Sequence, residues 1–219
     1  MSVTLLLVLV TIGISIFAFN DRVLMDKLIF YPPAINERNQ YYRFITHGFI
    51  HADIAHLAFN MLALYTFGKY VEDIFSFRCI FGEMGKVYYL GMYLLGLIVA
   101  SIPTYRQNRD NYHYRSLGAS GAVSSVIFAG LVFLPQLPIR FFFIPIDIPG
   151  YIFGLAYLII SAFLSRRGGG NVNHSAHFWG AAFGVAFTVA LCLAITKFDI
   201  PGNFKKQLQS SSRQLNLDC

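Results

Sequence analysis

Charge is what this sequence has least of. Of its 219 residues only 13% are Asp, Glu, Lys or Arg, while 56% are hydrophobic and the mean hydropathy is +0.54. A soluble domain carries roughly 25% charged residues. About half that fraction, with long uncharged runs, argues against a soluble domain and places the chain in a bilayer. Cysteine is scarce too. Cys79, Cys192 and Cys219 are odd in number and far apart, which gives neither a metal spacing nor a disulfide framework. They read as structural or incidental. There is no basic helix face. The net charge of +6 is scattered over loops, so anionic lipid headgroups are a simpler partner than nucleic acid. No charge precedes Asp21, and the first apolar run lacks a small-x-small cleavage site, so it reads as a retained helix rather than a signal peptide. No internal repeat of the kind that marks many transporters is present.

What is there is a series of apolar runs separated by polar loops. Thr4 to Phe19, Ile54 to Val71, Val87 to Ile102, Ser120 to Leu134, Tyr151 to Leu164 and Ala176 to Thr196 each read as a transmembrane helix. The third is expected to end at Pro103 and the fourth at Pro135. The fifth ends at Ser165-Arg166-Arg167-Gly168-Gly169-Gly170. Residues 20 to 53 hold Pro32-Pro33 and Asn36 to Gln40, which exclude a span, but also Leu28 to Tyr31 and Tyr41-Tyr42. This is expected to be a long first loop that folds in the interfacial zone, where tyrosine is at home. Phe141 to Ile148, interrupted by Pro145, reads as an interfacial connection. Residues 198 to 219 read as a polar, mobile tail. The fold class is therefore an all-α integral membrane protein, a compact bundle of six transmembrane helices forming a single membrane domain over residues 1 to 219. Six spans put both termini on one side. The 17 basic residues divide almost evenly between the two sides, so the positive-inside rule does not orient the chain.

Several polar residues sit where a membrane helix should be apolar. Ser120, in Gly118-Ala119-Ser120-Gly121, starts a helix, where free N–H groups and the positive dipole end favour developing negative charge. Alone, that stretch fits a helix cap between packing glycines. His56 and Asn60 are four apart on one helix face, close enough to donate to a single point. His47 and His51 precede that helix and are placed to brace the loop. Intramembrane polar groups usually face a bundle interior or an aqueous cavity. Simple ties between helices, contributing about 0.6–2 kcal/mol each, are an alternative, and metal binding by the histidines is another. In the last run His177, Gly180 and Gly184 fall at i, i+3 and i+7. The Gly-x-x-x-Gly pair allows close helix packing, and Gly121, Ala122 and Ser125 offer a smooth partner face. Packing the two would bring His177 beside Ser120, and a hydroxyl next to an imidazole is the minimal activated nucleophile.

Taken together these residues resemble the rhomboid intramembrane serine proteases, of six-helix bacterial type. Tyr42-Arg43 followed by His47 is similar to the family's first-loop Trp-Arg, with Tyr in place of Trp. His51, His56 and Asn60 match the His-x4-His-x3-Asn series of its second helix. Gly118-Ala119-Ser120-Gly121 matches its Gly-x-Ser-Gly, and Ala176-His177-x-x-Gly180-x-x-x-Gly184 its last helix. The resemblance covers about residues 40 to 197. It implies a rhomboid-like core there and a Ser–His dyad with Ser120 as nucleophile and His177 as base. It also implies an oxyanion site of His56, Asn60 and the Ser120 N–H, with no cofactor and no metal. The implied substrate is a single-pass transmembrane protein cut in or near its membrane segment, the implied partner the lipid bilayer, and the implied location the bacterial inner membrane with cytoplasmic termini. There are two departures. Many members carry Tyr one turn after the serine, supporting the imidazole, where this chain has Ser124. The family often has a small residue at the place of Trp179. A catalytically silent rhomboid-like binding protein should lack Ser120 or His177, and a small transporter should show repeats or broken helices in matching halves.

Overall fold

In a bilayer an apolar run must pair its own backbone groups, which leaves the helix as its simplest fold. The computed structural model describes residues 1–141, 144–167 and 173–209. The helices in chain order are α1 (Val3–Asn20), α2 (Arg22–Leu28), α3 (Pro32–Arg38), α4 (Arg43–Thr46), α5 (Ile54–Ser76), α6 (Gly85–Asn108), α7 (Ser120–Phe133), α8 (Gly150–Arg167), α9 (His174–Ile195) and α10 (Ile200–Gln209). A 3₁₀ turn, His47–Phe49, joins α4 to α5. Between α7 and α8 lies an antiparallel pair, β1 (Pro138–Phe141) and β2 (Ile144–Pro149), with Ile139 opposite Ile148.

Helix α7 is the axis of the bundle. Twelve of its fourteen residues are buried, and α5, α6, α8, α9 and α10 all pack on it. The outward faces of α1 and α8 carry Leu9, Phe17, Leu155 and Ile159, all more than half exposed. An apolar surface of that extent fits lipid rather than water.

Six helices coincide with the six expected runs. Among the described residues, three are long and apolar enough to cross a membrane: α1, α6 with the turn before it (Gly82–Asn108), and α9. Helix α7 is a shorter apolar helix. Helix α5 carries Lys69, Glu72 and Asp73 near its end, and α8 ends in Arg166 and Arg167. Glu72 has a structural use. Buried, it accepts from Ser2 Oγ at 2.6 Å, Val3 N at 2.9 Å and Thr4 N at 3.0 Å, capping the start of α1 from a neighbouring helix.

Several expectations are corrected. The third run does not end at Pro103. Helix α6 continues to Asn108, because Pro103 removes only one donor and the last turns are held elsewhere. Thr104 Oγ1 donates to Asn173 Oδ1 at 3.1 Å, and Asn108 Nδ2 to the Thr104 carbonyl at 3.0 Å. The tail is not wholly loose. Residues 200 to 209 are α10, and Asn203 Nδ2 donates to the Phe133 carbonyl at 2.9 Å, satisfying the open C-terminal end of α7. The rest of the tail (210–219), residues 142 and 143 of the connection, and Gly168–Gly170 lie outside the described residues. Cys192 is a buried free thiol, whereas Cys79 is disulfide-bonded, which the reading of the cysteines did not anticipate. The first loop folds into α2, α3, α4 and the 3₁₀ turn, with Pro32 and Pro33 in the first turn of α3.

Candidate active site

The site forms where the N-terminal ends of α5, α7 and α9 meet. Glycine sets how closely two of them approach. A Cβ on Gly180 would run into the Gly121 carbonyl, and one on Gly184 into the Ser125 carbonyl. The seam is sewn by Ser125 Oγ, 2.8 Å from the Gly180 carbonyl. This contact, expected from the small-residue faces, brings His177 Nε2 to 2.8 Å from Ser120 Oγ. Both side chains are half-buried. Among the described residues no carboxylate hydrogen-bonds to His177. Trp179 is directed away from the seam. It is 45% exposed and meets Phe178 edge-on, so its bulk does not disturb the glycine face.

Ser120 is the first residue of α7, which has no side-chain N-cap. The first N–H groups of a helix have no intrahelical acceptor. Gly118, two residues earlier, has φ +114°, a region open to glycine alone at low cost. A Cβ there would also stand 2.7 Å from His56 Cε1. The glycine thus lets the His56 imidazole lie against the backbone leading to Ser120. Asn60 is buried one turn on, and its Nδ2 donates to the His56 carbonyl at 2.9 Å. That uses one of its two N–H groups.

The loop before Ser120 is fixed by residues from far away in sequence. Gly118 N donates to the His47 carbonyl at 2.9 Å. Ser101 Oγ donates to the Leu97 carbonyl at 2.8 Å, so the His47 Nε2 beside it at 3.1 Å must be the donor of that pair. Ser15 Oγ gives its proton to the Phe49 carbonyl at 3.0 Å, so His51 Nδ1 donates to Ser15 at 3.1 Å. The remaining His51 nitrogen, Nε2, accepts from Ala119 N at 3.4 Å. Both histidines are neutral in this arrangement, and burial pushes each down to about 4. Bracing, expected for His47 and His51, is what these contacts do. Arg43 is buried. It donates through one guanidinium nitrogen to the carbonyls of Asp26 at 2.8 Å and Ile29 at 2.6 Å, and through Nε to Gln40 at 2.7 Å. It closes the first loop on itself. Among the described residues no group of three or more His, Cys, Asp or Glu could hold a metal ion.

Two cavities adjoin the pair. One of about 20 Å³ lies behind Ser120, lined by His47, Ser101, Ser116 and Asn173 among others, and is large enough for one water molecule. A larger apolar groove of about 420 Å³ runs between α8 and α9 and reaches His177.

A family model for the rhomboid domain matches residues 38–194. The chain belongs to the rhomboid family. "RHOMBOID-like protein 12, mitochondrial" of Arabidopsis thaliana is 26% identical over 198 residues, covering 82% of this chain and 55% of that protein. "Rhomboid-like protein 15" of the same plant is 28% identical, over 85% of this chain and 45% of its own length. "Presenilin-associated rhomboid-like protein A, mitochondrial" of Danio rerio is 23% identical, over 63% and 34%. This rhomboid thus spans about half or less of the length of these relatives. Two of the three names carry a mitochondrial designation, which does not support the expected bacterial inner membrane.

Sequence reasoning missed three things in this rhomboid. Phe30 and Ser116 exchange backbone hydrogen bonds at 3.0 and 3.1 Å, joining the first loop to the approach to Ser120. Asn173 caps α9 through Ala176 N at 3.0 Å while tied to α6 through Thr104. An Asn three residues before Ala176 was a legible cap signal. Tyr157 of α8 stands beside His177, and no local pattern announces it.

Proposed function

We propose that this rhomboid is an intramembrane serine endopeptidase that hydrolyses a peptide bond in or near the transmembrane segment of a single-pass membrane protein. The 2.8 Å approach of His177 Nε2 to Ser120 Oγ carries the reading. A hydroxyl that close to an imidazole can pass its proton as it attacks. Ser120 Oγ adds to the scissile carbonyl carbon as its proton moves to His177 Nε2. The tetrahedral oxygen takes hydrogen bonds from the Ser120 N–H, His56 and the second N–H of Asn60. Collapse of the intermediate breaks the C–N bond, and His177 protonates the leaving amine. Water, activated by the same imidazole, then releases the acyl group from Ser120. No cofactor has a step in this sequence. The groove along α8 and α9 suits an apolar substrate segment and bears no resemblance to a nucleic-acid surface. The six long helices are proposed to be the membrane domain, with α5 and α8 crossing beside α1, α6, α7 and α9.

The test is cleavage of a single-pass test substrate by purified protein. Ser120→Ala and His177→Ala are each expected to abolish cleavage with folding intact. The double variant should be no worse than either, because residues that act as a unit are non-additive. Substantial activity in Ser120→Ala would end the serine-hydrolase reading and favour a binding role.

A further inference from the structure

Ser124 lies on α7 one turn after Ser120, and its hydrogen bonds connect the nucleophile's own residue to α8. Ser124 Oγ donates its single proton to the Ser120 carbonyl at 2.8 Å. Tyr157 Oη lies 2.6 Å from Ser124 Oγ. With the serine proton committed, the tyrosine must be the donor. A chain of two hydrogen bonds therefore runs from Tyr157 through Ser124 to the carbonyl of the nucleophile's own residue.

The tyrosine ring is then directed over the base. Its centroid is 6.2 Å from that of His177 with the planes 26° apart, within the range of offset aromatic contact. Phe128 at 5.5 Å and Phe153 at 5.7 Å hold the tyrosine ring from other directions. His174 meets the imidazole edge-on at 5.9 Å. The imidazole is thus walled by one ring face and one ring edge. Rotation of His177 away from Ser120 would have to displace Tyr157, which the hydrogen bond to Ser124 and two phenylalanines resist.

We infer that Tyr157 is the positioning residue of the base, supplied across the groove by α8 instead of by the serine's own helix. The inference rests on the hydrolase reading above. A small residue at 124 is what the arrangement requires. A ring on α7 would fill the space that Tyr157 enters, and only a short hydroxyl there can relay the tyrosine's hydrogen bond to Ser120. It also ties the geometry of the dyad to the place of α8, a helix that buries only Gly150, Gly154 and Ser161.

The experiment compares kcat and KM of the full chain, reconstituted with a single-pass test substrate. The variants are Tyr157→Phe, Tyr157→Leu, Ser124→Tyr and the pair Ser124→Tyr with Tyr157→Leu. Labelling of Ser120 by a fluorophosphonate is read alongside. Tyr157→Phe keeps the ring but loses the hydrogen bond to Ser124, and its kcat should fall between those of wild type and the leucine variant. Tyr157→Leu should lose at least about tenfold in kcat and in labelling rate, with KM within about twofold, the mark of a lost transition-state contribution. The pair returns a ring to the imidazole from α7 and should recover to within about threefold, while Ser124→Tyr alone, with two rings competing for one space, should not. Should Tyr157→Leu fail to elute as a folded species, Tyr157→Met takes its place. Wild-type kcat in the leucine or methionine variant overturns the inference. So does a loss confined to KM, which would assign Tyr157 to the substrate groove. Wild type that neither cleaves nor labels, or Ser120→Ala that cleaves equally, would remove the hydrolase reading itself and this inference with it.

Discussion

A tetrahedral oxygen at Ser120 would meet donors of two kinds. The Ser120 N–H is fixed by the start of α7 and needs no side chain to hold it. His56 and Asn60 are side chains placed by α5. The former lies against Gly118, and the latter is steadied by a hydrogen bond to the His56 carbonyl. Preorganised donors aimed at developing charge act mainly in the transition state, and loss of one typically costs about 10²–10³ in kcat. His56→Ala and Asn60→Ala are therefore expected to lower kcat by up to that factor and leave KM nearly unchanged. Steady-state kinetics on a test substrate decides it, and unchanged kcat in both would return the two residues to helix packing.

At the scale of elements, two contacts can be weighed. The seam of α7 and α9 has no room for a Cβ at Gly180, where the nearest atom is the backbone carbonyl of Gly121. Overpacking of this kind typically costs about 1–3 kcal/mol. Gly180→Ala should lower the melting temperature and, by parting Ser120 from His177, lower activity further than the lost folded fraction explains. Gly13 has nothing within 4 Å of its would-be Cβ. Gly13→Ala should be neutral or stabilising by up to about 1 kcal/mol. The first loop should be sensitive to acid. His47 and His51 are held near 4 in the folded protein and titrate near 6.5 when unfolded. Between those values the unfolded chain binds more protons, so stability is highest above about pH 6.5 and falls as the pH drops toward about 4. Protonating His51 would set a new N–H against the Ala119 N–H it now accepts from. Thermal unfolding at pH 7.5 and pH 5 should show this loss. His51→Gln, whose amide can also donate to Ser15 and accept from Ala119, should show less of it.

At the scale of the whole molecule, the contacts place Ser2 and Asn203 on one face. Ser2 is bound by Glu72 near the end of α5, and Asn203 by Phe133 at the end of α7. Phe75 and Phe133 join those two helix ends at 6.1 Å, while His56 and Ser120 lie at the opposite ends of the same helices. Reporter fusions after residue 40 and after residue 219 should therefore report opposite sides of the membrane, and one side for both would mean a miscounted span. Helix α7 has 14 residues, about 21 Å at 1.5 Å per residue, against a hydrocarbon core of about 30 Å. If α7 reaches one membrane face near Pro135, its serine end stops short of the other, where irregular backbone requires protein or an aqueous cavity around it. Membrane-impermeant thiol reagents should accordingly label Ser120→Cys faster than Ile127→Cys or Leu131→Cys. Equal resistance at all three, with position 109 labelling well, would exclude a hydrated pocket.

Much of this was written locally in the chain. Low charge and long apolar runs determine a membrane protein, because no other solvent accepts that surface. The i, i+3, i+7 spacing of His177, Gly180 and Gly184 determines a shared helix face, and Gly118 before Ser120 a turn into a helix, because helical geometry is a property of the segment itself. What lay beyond the sequence depends on how one helix is rotated and shifted against another. The polar composition of residues 200 to 209 suggested a loose tail, yet Asn203 finds the open end of α7 only once the bundle exists. Pro103 looked like a stop, yet the contacts of Thr104 carry α6 past it. Tyr157 stands 33 residues from Ser124, on a helix whose own pattern says nothing about His177. Only the packing of α8 against α7 and α9 decided that a ring from there would stand beside His177.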